Sequence, residues 1–203
     1  MSYGFPPLAV VVAAFAVAIT TPDAVAVAPS SRAKHEAFAS RQARAGEQRG
    51  AAGTIRDVPL GLDLYMPIPE GNPVTVAKVD LGRRLFFDPV LSDDGELSCA
   101  GCHDPELAFA DGKRVAEGVY GRRGQRNTPT LVNRGYGTSF FLDGRAATLE
   151  EQVLVPIEGE DELATRVDDA LGRLRADRVY VGAFRSVFGT DPDRESLAAA
   201  LAS

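Results

Sequence analysis

Tryptophan is absent from this chain, and cysteine and histidine occur only twice each. Two thiols cannot build the disulfide framework that holds small secreted scaffolds together. Basic charge is not in surplus: 22 Lys and Arg stand against 28 Asp and Glu, a formal net charge of −6. With a pI near 5.0, no nucleic-acid partner is expected, because that function needs a positive surface. The apolar run Leu8–Ile19 is shorter than the ~20 residues a membrane-spanning helix needs. Convincing strand alternation and internal repeats are also lacking. What is present suffices for a folded domain. The chain has 203 residues, 45% of them hydrophobic, enough for one domain with a leader and a linker.

The leader is the charge-poor opening MSYGFPPLAVVVAAFAVAITTPDAVAVA. Its short apolar core and small-residue cleavage candidates, Ala24-Val25-Ala26 and Ala26-Val27-Ala28, match a secretory signal over residues 1–28. No Lys or Arg precedes the run, so an uncleaved anchor is the weaker alternative. Residues 29–57 are rich in Ala, Arg, Gln, Ser and Gly without apolar periodicity, and read as a flexible linker. His35 lies there and is expected to be merely solvated. The folded domain is assigned to 58–203.

Within that domain the pattern is mainly α, with long loops and little or no β-structure. Thr75 is placed to cap a helix through Leu85, with Val76, Val79 and Leu85 on or near one face. FFDPVLSDDG then turns the chain, and CAGCHDPELAF fits a short helix. Thr148-Leu-Glu-Glu151 reads as a capping box opening a helix that Pro156 ends or bends. Val167–Arg178 has helical spacing, and Arg194–Ala202 begins another helix that runs to the chain end without a stop signal. Phe140 and Phe141 are expected to pack inward. Long loops ordinarily count against a compact domain, unless they pack on a large cofactor.

CAGCH, residues 99–103, holds both cysteines and one histidine. A redox dithiol, a zinc site and a covalent haem all begin with C-x-x-C. In a short helix Cys99 and Cys102 share a face and can form two thioethers with haem vinyl groups. His103 follows and can ligate the iron. A thioredoxin-like dithiol would need a βαβ unit, and structural zinc wants four protein ligands. Covalent haem c is therefore the expectation. The opposite iron position is the next question. No Met or His follows His103, so a simple carrier's usual sixth ligand is missing downstream. Met66 precedes the motif and reads as a packing residue. Either the iron is open or water-bound, or Tyr120 or Tyr136 closes it weakly. An open position suits peroxide.

LGRRLFFDPVLSDDGELSCAGCHDPELAFADG, RNTPTLVN, FFLDGRAATLEEQ and PIEGEDEL together resemble the N-terminal, peroxidatic haem domain of bacterial di-haem cytochrome c peroxidases and the MauG group. The resemblance covers residues 58–203 and implies a mainly α, cytochrome c-like, periplasmic protein. It implies two haems, one per domain, with hydrogen peroxide reduced by electrons from a small cytochrome c or a copper protein. It also implies a calcium ion between the domains, to which Asn127 would supply its side-chain oxygen. Carried over by position, Cys99, Cys102 and His103 hold the haem. Gln152 and Glu162 stand on the peroxide side, Glu162 to move a proton and Gln152 to orient the oxygens. A homodimer is an open option.

Three departures qualify the resemblance. Where many relatives carry a histidine in the glycine-rich loop, this chain has Val119, which favours an iron open without prior reduction. Where the family has tryptophan in F-W-D-G-R, it has Leu142. No second C-x-x-C-H is present, so the domain reads as incomplete at its C-terminus or as a mono-haem variant. The rivals are a mono-haem electron carrier with Met66 or another residue closing the iron, and a haem-based ligand-binding or sensing module.

Overall fold

A computed structural model describes residues 66–203. The signal segment, the linker, His35 and residues 58–65 lie outside it. Among the described residues six α-helices carry the fold: α1 Val76–Phe87, α2 Cys99–Cys102, α3 Leu149–Glu158, α4 Val167–Ala176, α5 Arg178–Phe188 and α6 Arg194–Leu201. Among the described residues no extended strand forms. Only isolated antiparallel bridges occur, at Asp104–Ala110, Glu117–Arg123 and Phe140–Ala146. No helix of the described residues is long and apolar enough to cross a membrane.

Thr75 caps α1 by accepting the Lys78 amide. The helix runs through Phe87, past the expected Leu85, and Asp88 takes extended geometry before Pro89. Its buried face is Lys78, Leu81, Gly82 and Leu85, while Val76 is 63% exposed. The expected Val76 face is therefore rotated toward Lys78. That lysine is tolerated because its Nζ donates to Asn72 Oδ1 (2.7 Å) and the Pro73 carbonyl (2.8 Å). Asn72 in turn donates to Glu150 Oε1 at 2.7 Å and to the Ala199 carbonyl at 3.2 Å. This network ties the entering chain to α3 and α6. Gly82 lets α1 and α6 cross closely: a Cβ there would lie 2.0 Å from the Ala200 carbonyl oxygen.

At α3, Thr148 accepts the Glu151 amide, but the Glu151 carboxylate takes the Ala147 amide rather than that of Thr148. The expected reciprocal box is thus displaced by one residue. Pro156 sits inside α3, which continues to Glu158. The helical spacing read over Val167–Arg178 divides at Asp177. Asp177 ends α4 and caps α5 by accepting the Val179 amide. Val167, Ala170, Leu171 and Leu174 are all buried. Gly189 closes α5 in left-handed geometry (φ 78°). Asp193 and Ser196 then form a full capping box on α6.

Around these helices lies one apolar core, centred on Leu81, Leu85, Leu91, Ile157, Leu174, Tyr180, Phe184 and Leu197. Tyr180 is buried with its hydroxyl satisfied, donating to Asp88 Oδ2 at 2.7 Å. The Arg84 guanidinium covers its ring at 4.7 Å. After α2, residues 103–147 form turns, bends and short 3-10 turns.

Candidate haem-binding site

α2 is one turn long, and its C-cap is His103, whose amide donates to the Cys99 carbonyl at 2.8 Å. Cys99 and Cys102 are both half-buried and unpaired. They sit one turn apart, so both sulfurs lie on one side of the turn. Burial pushes the Cys99 thiol up to about 12 and the Cys102 thiol up to about 11, with nearby charge adding to the effect. Such thiols stay protonated at neutral pH. An attacking redox dithiol needs the opposite, a lowered pKa. Zinc fares no better: no group of three or more His, Cys, Asp or Glu among the described residues could hold a metal ion. Two thiols and an imidazole suit thioether attachment and axial ligation of haem, which needs no further side-chain ligand on that face.

The imidazole is oriented. His103 Nδ1 lies 2.9 Å from the Phe109 carbonyl oxygen. With Nδ1 protonated and donating, Nε2 is the nitrogen left for a metal. Burial lowers the pKa of His103, with the carbonyls of Phe109 and Pro129 and the charge of Asp111 opposing. A neutral ring is the ligating form. Phe86 packs beside it, its ring centroid 6.5 Å from that of His103 and 6.2 Å from that of Phe109. α1 thereby supplies an aromatic wall behind the ligand.

Glu162 arrives from the loop after α3. Gly118 makes the approach possible: a Cβ there would meet the Asp161 carbonyl oxygen at 2.1 Å and that of Glu162 at 2.5 Å. The next amide, Val119, donates to the Glu162 carbonyl at 2.9 Å. The same loop accepts the Cys102 thiol, at 3.6 Å from the Glu117 carbonyl oxygen. Glu162 is close enough to Cys102 for its charge to help raise that thiol. Burial raises the carboxyl pKa of Glu162, with Arg145 lowering it and Asp161 raising it. Arg145 is held by Asp143 at 2.9 and 3.0 Å and stacks 3.5 Å over the Phe141 ring.

The other expected residues fall as follows. Gln152 is half-buried on α3, with no contact that joins it to the motif. Asn127 is exposed, and its amide reaches only the neighbouring Thr128 carbonyl, at 3.5 Å. Val119 is buried. Tyr120 is turned away, exposed, and donates to Asp93 Oδ2 at 2.8 Å. Met66 packs on Gly135, where a Cβ would stand 2.8 Å from its sulfur. Phe140 is buried as expected, whereas Phe141 is half-buried under Arg145. Leu142 is 87% exposed. Sequence reasoning missed the Phe109 carbonyl and Arg145 as parts of the site. A backbone acceptor leaves no residue signature, and Arg145 joins the site only through its charge on Glu162.

A mainly α domain carrying C-x-x-C-H on a one-turn helix, its histidine buttressed by a carbonyl, defines a cytochrome c-like fold. The profile of the di-haem cytochrome c peroxidases matches residues 76–203, and the chain belongs to that family. It is 44% identical over 126 residues to methylamine utilization protein MauG of Methylorubrum extorquens, covering 62% of this chain and 36% of that protein. It is 40% identical over 150 residues to cytochrome-c peroxidase IdrP1 of Denitromonas iodatirespirans, covering 73% of this chain and 39% of the relative. Among solved structures, a MauG-like protein associated with microbial copper homeostasis superposes with a TM-score of 0.67 at 32% identity. That match covers 74% of this chain and 45% of the other. The chain thus spans less than half the length of these relatives.

Proposed function

We propose that residues 58–203 form the peroxide-reacting haem c domain of an exported di-haem peroxidase-like oxidoreductase. One covalent haem would attach to Cys99 and Cys102, with His103 on its iron, and would supply the redox chemistry of peroxide reduction. The observation that carries this reading is one arrangement: two thiols one turn apart on α2, followed at once by an imidazole that the Phe109 carbonyl orients.

The chain's own residues have distinct tasks. The Phe109 carbonyl holds the His103 ring so that Nε2 is presented. Peroxide cleavage needs a proton removed from one oxygen and delivered to the other. Glu162 suits that transfer because burial lifts its pKa toward the working range, while Arg145 keeps its ionised form accessible. Gln152 would orient the oxygens with its amide, and Asn127 would give one oxygen to a calcium ion. Hydrogen peroxide is the substrate in this reading. Electrons would come from a small cytochrome c or a copper protein in the periplasm, reached through the 1–28 signal, and a homodimer is compatible with it.

The rival mono-haem carrier needs Met66 or another residue on the iron; Met66 packs against Gly135, and Tyr120 donates to Asp93. The deciding experiment is an absorption spectrum of the protein matured in an exporting host, before and after peroxide. A high-spin ferric spectrum that changes rapidly is expected. Glu162→Gln should slow the change by about 10²–10⁴-fold, the usual worth of a positioned proton-transfer group. A low-spin spectrum indifferent to peroxide would leave the carrier.

A further inference from the structure

Thr128 and Thr130 flank Pro129, whose carbonyl acts on His103, and both grip the loop that holds that histidine. That loop, Asp104–Ala110, closes on itself. The Asp104 amide donates to the Ala110 carbonyl at 3.0 Å, and the Phe109 amide donates to the Asp104 carbonyl at 2.8 Å. Inside it, Ala108 and Phe109 are consecutive left-handed residues, with φ of 55° and 59°. Such a pair is uncommon without glycine and persists only where surrounding structure fixes it. Its two carbonyls accept from outside the loop. That of Phe109 faces His103 Nδ1. That of Ala108 accepts the Thr130 hydroxyl. Thr130 Oγ1 in turn accepts the Val132 amide at 3.1 Å, so its proton is committed to Ala108. A second strut stands beside it: Thr128 Oγ1 donates to Asp111 Oδ2 at 3.0 Å.

We infer that Thr130 is a positioning residue for His103, its hydroxyl holding the left-handed turn that aims the Phe109 carbonyl at the imidazole. The inference rests on the haem reading for its functional meaning. A ring that donates strongly from Nδ1 is a more basic ligand through Nε2. Ligand basicity and hydrogen bonding of this kind tune the reduction potential of a ligated haem. Loosening the strut weakens that donation, and the potential of the haem rises.

Thr130→Val removes the hydroxyl at nearly constant shape, and Thr130→Ser restores it. The measurement is a redox titration of each holoprotein, with covalent haem verified by its pyridine adduct. The expected result is an upward shift of midpoint potential in Thr130→Val and the wild-type value in Thr130→Ser. A Thr130→Val holoprotein with the wild-type potential would overturn the inference. Should that variant fail to mature, Thr130→Ala removes the same hydroxyl and must shift the potential in the same direction; an unchanged value overturns it equally. A wild-type protein without covalent haem defeats the functional reading instead. The ¹⁵N resonances of the His103 ring then decide the strut: Thr130→Val must move the Nδ1 signal, and a signal that stays in place refutes it.

Discussion

Residues 76–91 and 149–201 are held by burial, whereas residues 99–147 are held chiefly by polar bonds. The first group supplies nearly every member of the apolar core, including Leu85, Leu174 and Phe184 at 0% exposure. In the second, the buried apolar residues are Ala100, Val119, Phe140 and Ala146. That second region also contains Ala108, Phe109, Tyr120, Asn133 and Phe141, five of the six non-glycine residues with left-handed φ among the described residues. Burial stabilises by roughly 25 cal/mol per Å² of apolar surface, so the helical region has a store of stability that the loop region lacks. The difference separates scaffold from site. Loops on a rigid scaffold can take strained geometry and aim backbone groups such as the Phe109 carbonyl.

The largest expected effect tests whether the loop region relies on its thioether anchors. The double substitution Cys99→Ser and Cys102→Ser should abolish covalent haem. Amide exchange in residues 99–147 should then accelerate strongly, with α5 and α6 nearly unchanged. Equal acceleration in both regions would make them one cooperative unit and break the comparison. The converse change is Phe184→Ala in the scaffold, a fully buried ring. It should cost about 3–5 kcal/mol in urea unfolding, and it should lower protection in both regions, because the loops have nothing else to stand on.

The same division explains how much could be read beforehand. Scaffold features with a local sequence signal were legible: the Thr75 cap, the Thr148 start of α3, and the four buried positions of α4. α5 was not assigned, because RVYVGAFRSVF carries β-branched residues and a glycine that weaken helix propensity. Its signals were the Asp177 cap, the Tyr180–Phe184 spacing and Gly189. The inward Lys78 could not be foreseen, since Asn72 and Pro73 make its burial tolerable only in three dimensions. In the candidate site, Cys99, Cys102 and His103 were singled out from spacing alone. Glu162 came from resemblance, and its nearness to Cys102 depends on the tight seat of Gly118. The His103 ring is held by a carbonyl, that of Phe109, which no residue type announces.

The smallest expected effect lies where the two regions meet, at Glu162. Its folded pKa is raised chiefly by burial, so the folded state holds the proton more tightly than the unfolded chain does. The stabilisation linked to that proton is fully present below the unfolded-state pKa and is lost as pH rises through the raised folded value. Glu162→Gln removes this titration. The variant should therefore gain on the wild type as pH climbs across that window and run parallel to it on either side. Arg145 opposes the shift, so Arg145→Gln should push the window to higher pH, together with the acid limb of peroxide reactivity. Urea unfolding at a series of pH values measures the first, and stopped-flow absorption measures the second. A window that moves with Arg145 ties the polar D-G-R turn of the loop region to the carboxyl that follows α3. A window that stays put would mean that burial alone sets Glu162, and that the scaffold side of the boundary governs the proton by itself.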